Sequence, residues 1–190
     1  MAGRSSGNSR EAAKDKLRNI RAFYYTANPR LYMNWLLNRY CWRVIQDAVI
    51  EHFVNEGKNA VGNGGNMAPP WAGKTDRNIK IRIQRHVSVS LPVLVNSGLL
   101  RKYVSNSVVV EYSPSSSTVY VSLSPQGRPP YANAHHTGAF IKNSPYGPIH
   151  LAKRPLVRFT VGGYNRVLLQ IQRVLSSHFN GDLSTPGPRG

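Results

Sequence analysis

Apolar positions recur at helical intervals in three stretches of the chain and at alternate positions in others. Asn8 and Glu11 have the spacing of a helix N-cap and its returning carboxylate, and Leu17, Ile20 and Tyr24 follow three to four residues apart. The pattern predicts a first helix over 9–26 with those three residues facing inward and Lys14, Arg18 and Arg21 forming a basic stripe on the other side. Asn28-Pro29 is a second start signal, because proline at the first helical position gives up an N–H that would be unpaired anyway. Leu31, Trp35, Trp42, Ile45, Val49 and Phe53 then predict one long helix closing at Gly57.

Beyond it the period changes. Ile79, Ile81, Ile83, Val87, Val89 and Leu91 alternate with polar or basic residues, which favours a strand, with a helix left open for 77–86. Val108–Tyr112 and Thr118–Leu123, joined by Ser113-Pro114-Ser115-Ser116, predict a hairpin. YANAHHT before Gly138 predicts a short helix, 156–161 an edge strand, and 163–179 a last helix with Leu168, Ile171, Leu175 and Phe179 inward. Helices at both ends around a central meander indicate an α+β fold. Residues 1–8 read as a flexible basic arm, so 1–28 is an arm and helix, 29–179 a single domain and 180–190 a mobile tail. The first 26 residues are predicted to be an add-on that contributes about 1 kcal/mol to the fold of the rest.

Charge narrows the class of partner. The chain of 190 residues carries 25 Lys and Arg against eight Asp and Glu, a formal charge of +17. Between Glu111 and Asp182, the last two acids, lie Arg128, Lys142, Lys153, Arg154, Arg158, Arg166 and Arg173. So single-signed a stretch suits a polyanion or an acidic protein surface, the plain alternative being a solvated basic face. With 41% apolar residues the chain can bury a core. One cysteine allows no internal disulfide, and no apolar run suits a signal peptide or a membrane span, which predicts a soluble protein of a reducing compartment.

Candidate chemistry is sparse. Residues 58–78 form a long Gly-, Asn- and Pro-rich loop, predicted to be functional or interfacial. Within it, Ala68 to Thr75 satisfies the loosest P-loop pattern, but two prolines remove backbone donors and no apolar strand precedes it. His135 and His136 are neighbours that point apart on a helix, with no Cys or acid nearby to complete a metal shell. Cys41 sits beside Trp42 on an apolar face and reads as a packed, inert thiol. Asp47 and Glu51 share a helical face, with Arg43 at hand for pairing. Ten tyrosines and three tryptophans beside many arginines suit buried interface patches, and also stacking on single-stranded nucleic acid. The expectation is a protein without catalytic residues, cofactor or metal.

Read in order, FVNEG (53–57), Pro70-Trp71, Thr75, Leu94 to Arg101, the hairpin, Tyr131-Ala132 with His135, His136 and Gly138, and Lys153-Arg154-Pro155-Leu156 form a pattern. It resembles the phage virion morphogenesis (tail completion) family and, more broadly, tail-terminator-like and head-tail joining proteins, over about 53–179. Those families carry a Ser/Thr-Gly-x-Leu-Arg element, a strand pair, a Tyr-Ala-x-x-His-x-x-Gly helix and an Arg-Pro-Phe segment; here Leu156 stands in place of the Phe. The resemblance implies a small antiparallel sheet packed on long helices. It also implies a structural subunit of a closed ring, hexameric or dodecameric, at the neck of a tailed-phage virion and made in the host cytoplasm. Its partners would be neighbouring neck, connector and tail proteins, and DNA phosphates touched without sequence preference, with no membrane. On this reading Gly98, Leu99, Arg101, Tyr131, Ala132, His135, Gly138, Arg154 and Pro155 are structural motif residues, and Lys14, Arg18 and Arg21 contact DNA or a partner. The alternative is a stand-alone basic nucleic-acid-binding protein.

Overall fold

The computed structural model describes residues 5–58, 76–86, 98–143 and 147–182. Seven helices and four strands follow along these residues: α1 Ser5–Ala27, α2 Pro29–Tyr40, α3 Trp42–Lys58, α4 Asp76–Gln84, α5 Leu99–Asn106, β1 Val108–Ser113, β2 Thr118–Leu123, α6 Ala132–Thr137, β3 Ala139–Ile141, β4 Ile149–Leu151 and α7 Val161–Phe179. The fold is α+β, with two separate two-stranded sheets. No helix among the described residues is long and apolar enough to cross a membrane. The P-loop look-alike, the strand expected at 87–91 and the motif residues Pro70, Trp71, Thr75 and 94–97 lie outside the described residues, as do 183–190 of the tail.

Two compact units divide the chain. The first comprises 1–44, 110–120 and 167–190, the second 45–109 and 121–166. The residues expected to form a separate arm and helix, 1–28, cluster with α2 and with α7 from residue 167 onward.

In the first unit, Asn28 caps α2, its side-chain oxygen accepting the Leu31 N–H at 3.2 Å ahead of Pro29 in the first turn. Tyr32, Met33, Leu36, Leu37, Val167 and Val174 are among its buried side chains. The single long helix predicted from Pro29 is broken at Cys41, whose N–H donates to the Leu37 carbonyl at 2.8 Å. A side chain intrudes at that point: Gln170 Nε2 donates to the Tyr40 carbonyl at 3.1 Å, and such competitors for a helical carbonyl are a recognised cause of kinks. Cys41 is fully buried, and burial pushes its thiol up to about 11, which keeps it an inert packed group.

The start of α1 and the faces of α1 and α7 also differ from expectation. Because α1 begins at Ser5, Asn8 lies inside the helix rather than capping it, and residues 5–8, expected to be part of a flexible arm, are helical. Arg21 is buried at 1% exposure while Ile20 and Tyr24 are exposed, so the helix is rotated from the apolar stripe that periodicity selects. On α7, Val167, Val174 and His178 are buried and Leu168 is exposed, a shift of one position from the predicted face.

The second unit buries Ile45, Val49, Phe53, Leu100, Val104 and Val108. Thr160 caps α7, its hydroxyl oxygen accepting the Gly163 N–H at 2.9 Å while donating to Glu51 Oε1 at 3.0 Å. Glu51 also pairs with Arg166, a partner 115 residues away that helical spacing could not suggest. Where alternation favours a strand but a helix is left open for 77–86, residues 76–84 are helix α4: Asp76 supplies an acid to its first turn, and Lys, Arg and Gln are good helix formers. No strand forms over 156–161. The second sheet is instead β3 with β4, antiparallel with Phe140 opposite His150. The predicted hairpin is present as β1 and β2.

Candidate functional site

Chemistry-bearing residues collect in the second unit, around α5, α6 and the segment between β2 and α6. Gly98 precedes α5 at φ +75°, a conformation glycine adopts without strain. α5 then places Lys102 beside Tyr103, whose hydroxyl donates to the Ser124 carbonyl at 2.5 Å. The chain turns after β2, and the Arg128 N–H closes the turn on the Pro125 carbonyl at 3.3 Å. Arg128 Nε donates to the Tyr103 hydroxyl at 3.1 Å and its Nη1 to Asn133 Oδ1 at 2.9 Å. Two of the three guanidinium nitrogens are thus fixed by neutral partners while the residue stays exposed. Neither ion pair of the described residues, Asp15–Arg18 or Glu51–Arg166, neutralises Lys102 or Arg128.

Two hollows adjoin these residues. One, of about 410 Å³, is lined by Arg128, Asn133, His136 and Leu156; the other, of about 730 Å³, by Leu99, Lys102, Asn106, Gln126, Pro130 and Tyr131. Tyr103 and Arg128 line both, and no carboxylate lines either.

The motif residues of α6 and the 153–156 segment knit the floor of this region. The Arg154 N–H donates to the His135 carbonyl at 2.7 Å, and the Leu156 N–H donates to His136 Nδ1 at 3.1 Å. His136 is thereby used as an acceptor, which requires its neutral form at that nitrogen. Burial pushes it down from the ordinary value, and Lys153, Arg128 and Arg158 add positive charge that pushes the same way. Burial, then Arg154, lowers His135 likewise. His150 stacks against Phe140, ring centroids 4.4 Å apart, on β4. Among the described residues no three of His, Cys, Asp or Glu come together as a metal would need.

Of the residues singled out in the sequence, Leu99, Tyr131 and Ala132 line the hollows, while Gly138, at φ +81°, would bring a Cβ to 3.2 Å from the Leu151 carbonyl. Arg101 is exposed on α5, Arg154 is buried, and Pro155 is half-buried. Lys102, Tyr103, Arg128 and Asn133 were not singled out. A cation next to the Pro129-Pro130 turn was the available signal, but its hydroxyl and amide partners are 25 and five residues away.

The basic stripe of α1 is corrected in one member. Lys14 and Arg18 are exposed, but Arg21 is buried in the first unit and cannot offer its charge outward. Its guanidinium donates to the carbonyls of His178 at 2.5 Å and Asp182 at 3.1 Å. Burial lowers Arg21 from its ordinary value, with Tyr32, Tyr40 and Asp182 opposing. His178 Nε2 is hydrogen-bonded to the Tyr32 hydroxyl, and burial, then Arg21, holds its pKa down to about 4.

No family model, curated protein or solved structure matches the chain.

Proposed function

We propose that the protein is a structural subunit of a tailed-phage virion, assembled as a closed ring at the neck or tail end around the DNA path. The observation that carries the reading is the apolar surface left open in the first unit. Phe23 is 68% exposed on α1, beside Ile20 and Tyr24, Leu31 is 66% exposed on α2, and Leu169 is 63% exposed on α7. Large apolar side chains in such number mark protein contacts. The ordered motifs of 53–179 support the family, and they favour a tail-terminator-like arrangement. A ring multiplies each exposed cation by its symmetry, so Lys14 and Arg18 offer a diffuse positive potential to phosphates or to acidic neighbours without reading bases.

Light scattering coupled to size exclusion, negative-stain images and a protein census of purified virions test the proposal together. Hexameric or dodecameric rings, and the chain in virions, are the expected results. A strict monomer at high concentration that is also absent from virions overturns the reading and leaves the stand-alone nucleic-acid-binding alternative, to which the +17 charge also points.

A further inference from the structure

We infer that the paired hollows of the second unit bind single-stranded nucleic acid, with Lys102 and Arg128 gripping backbone phosphate and Tyr131 stacking on a base. The site uses none of the α1 residues assigned above to diffuse contact, and it does not depend on ring formation.

Three observations support it. The two cations face hollows without a carboxylate, and neither takes part in an ion pair of the described residues, so their charge is available to a ligand. Arg128 is held in advance: Tyr103 and Asn133 fix Nε and Nη1, leaving Nη2 for a phosphate oxygen at little ordering cost. Tyr131 keeps 40% of its surface exposed on the wall that also carries Lys102. A positive groove with an aromatic platform is the common device for gripping a single strand irrespective of its sequence.

Size and chemistry exclude the neighbouring ligands. Hollows of about 410 and 730 Å³ admit a nucleotide or two but not a duplex, whose bases are shielded from a stacking side chain. An acidic peptide would satisfy the cations, but it would gain nothing from Tyr131 as a stacking surface. Burial is the main reason that His136 is lowered from its ordinary value, and Lys153, Arg128 and Arg158 push the same way, as positive charge gathered at this hollow must.

The test is fluorescence anisotropy of a labelled oligothymidylate 12-mer titrated with the full chain at several salt concentrations. Variants Lys102→Gln, Arg128→Gln, Arg128→Lys, Tyr131→Leu and the pair Lys14→Gln/Arg18→Gln are compared, each checked for an unchanged thermal midpoint. Combining K102Q with R128Q should weaken binding about ten-fold and reduce the salt slope by roughly 1.4, the value for two phosphate contacts on a single strand. Y131L should weaken it about ten-fold with the salt slope unchanged. Lys102 and Tyr131 side chains make no hydrogen bond among those of the described residues, so K102Q and Y131L remain informative even if Arg128→Gln unfolds the protein.

The proposal is overturned if K102Q and Y131L bind as the parent does while K14Q/R18Q loses binding. It is equally overturned if a duplex 12-mer binds as tightly as the single strand with Y131L indifferent, or if a glutamate-rich peptide of equal charge displaces the oligonucleotide stoichiometrically. A protein that forms no rings yet passes this test keeps the site and loses only the ring.

Discussion

Each of the two units contains an arginine, a tyrosine and a histidine near one another, and uses them in opposite ways. In the first, Arg21 is buried, donates to two main-chain carbonyls, and sits beside the hydrogen-bonded Tyr32 and His178. In the second, Arg128 is exposed, donates to Tyr103 and Asn133, and lines a hollow with His136. A buried guanidinium must satisfy its donors within the protein or the desolvation cost is unrecovered, so Arg21 can only be structural. A guanidinium held at two of its nitrogens, with the third left to solvent, keeps its charge for a ligand. Residue type alone does not separate these roles; the direction in which the remaining donors point does.

The largest effect expected from this contrast falls on α1. Arg21→Ala strips two charge-assisted bonds from buried carbonyls and should cost about 3 kcal/mol, near a 10 °C drop in thermal midpoint for a chain of this size. Deleting 1–27 should cost at least as much, because Tyr25 also stacks edge-on against Tyr32 and Phe179, at centroid distances of 6.3 and 5.6 Å. Urea denaturation measures both. A truncated chain within 3 °C of the parent would restore the add-on expected from the sequence.

Next comes Gly181→Ala. At φ +79° a Cβ there would stand 2.6 Å from the Lys14 carbonyl oxygen, a main-chain clash that only movement of α1 or of the chain end relieves. About 2 kcal/mol is expected from the left-handed backbone and the clash together. Gly98→Ala, with φ +75° but nothing within 4 Å of the new Cβ, should cost about 1 kcal/mol. Equal losses would show that α1 does not hold the chain end as described.

The histidines give a pH dependence. Burial holds His178 and His52 down at about 4 in the folded chain, below the ordinary 6.5. Above pH 6.5 neither state binds the proton. As pH falls from 6.5 towards 4 the unfolded chain takes protons first, so stability should fall through that window and level off below it. His178→Gln should flatten part of the slope of unfolding free energy against pH, leaving the His52 share. A slope unchanged by His178→Gln would mean that His178 is not held neutral.

The smallest effect belongs to the open arginine. Arg128→Gln should alter stability by 1 kcal/mol or less, since its bonds are to neutral partners at an exposed residue. A loss as large as that of Arg21→Ala would erase the distinction between the two units.

Much of the local structure was legible. The Asn28-Pro29 start, the hairpin from Val108 to Leu123 and the helix over 132–137 follow from capping, alternation and turn chemistry, which are properties of neighbouring residues. Faces and breaks were not. Periodicity selects Leu17, Ile20 and Tyr24 as the inward face of α1, yet Arg21 is the residue buried, because carbonyls about 160 residues away supply its acceptors. The break at Cys41 depends in the same way on Gln170, and over 77–86, where alternation favours a strand and helix propensity leaves a helix open, the helix α4 is the outcome.

The sequence by itself determined the α+β class, the excess positive charge and the positions of most helices, since these depend on composition and short-range order. Only the tertiary structure decided which cations are open and which are internal. Burial and hydrogen-bond supply come from other segments of the chain: the acceptors that fix Arg128 are on α5 and α6, and those that bury Arg21 are at the end of α7 and just beyond it.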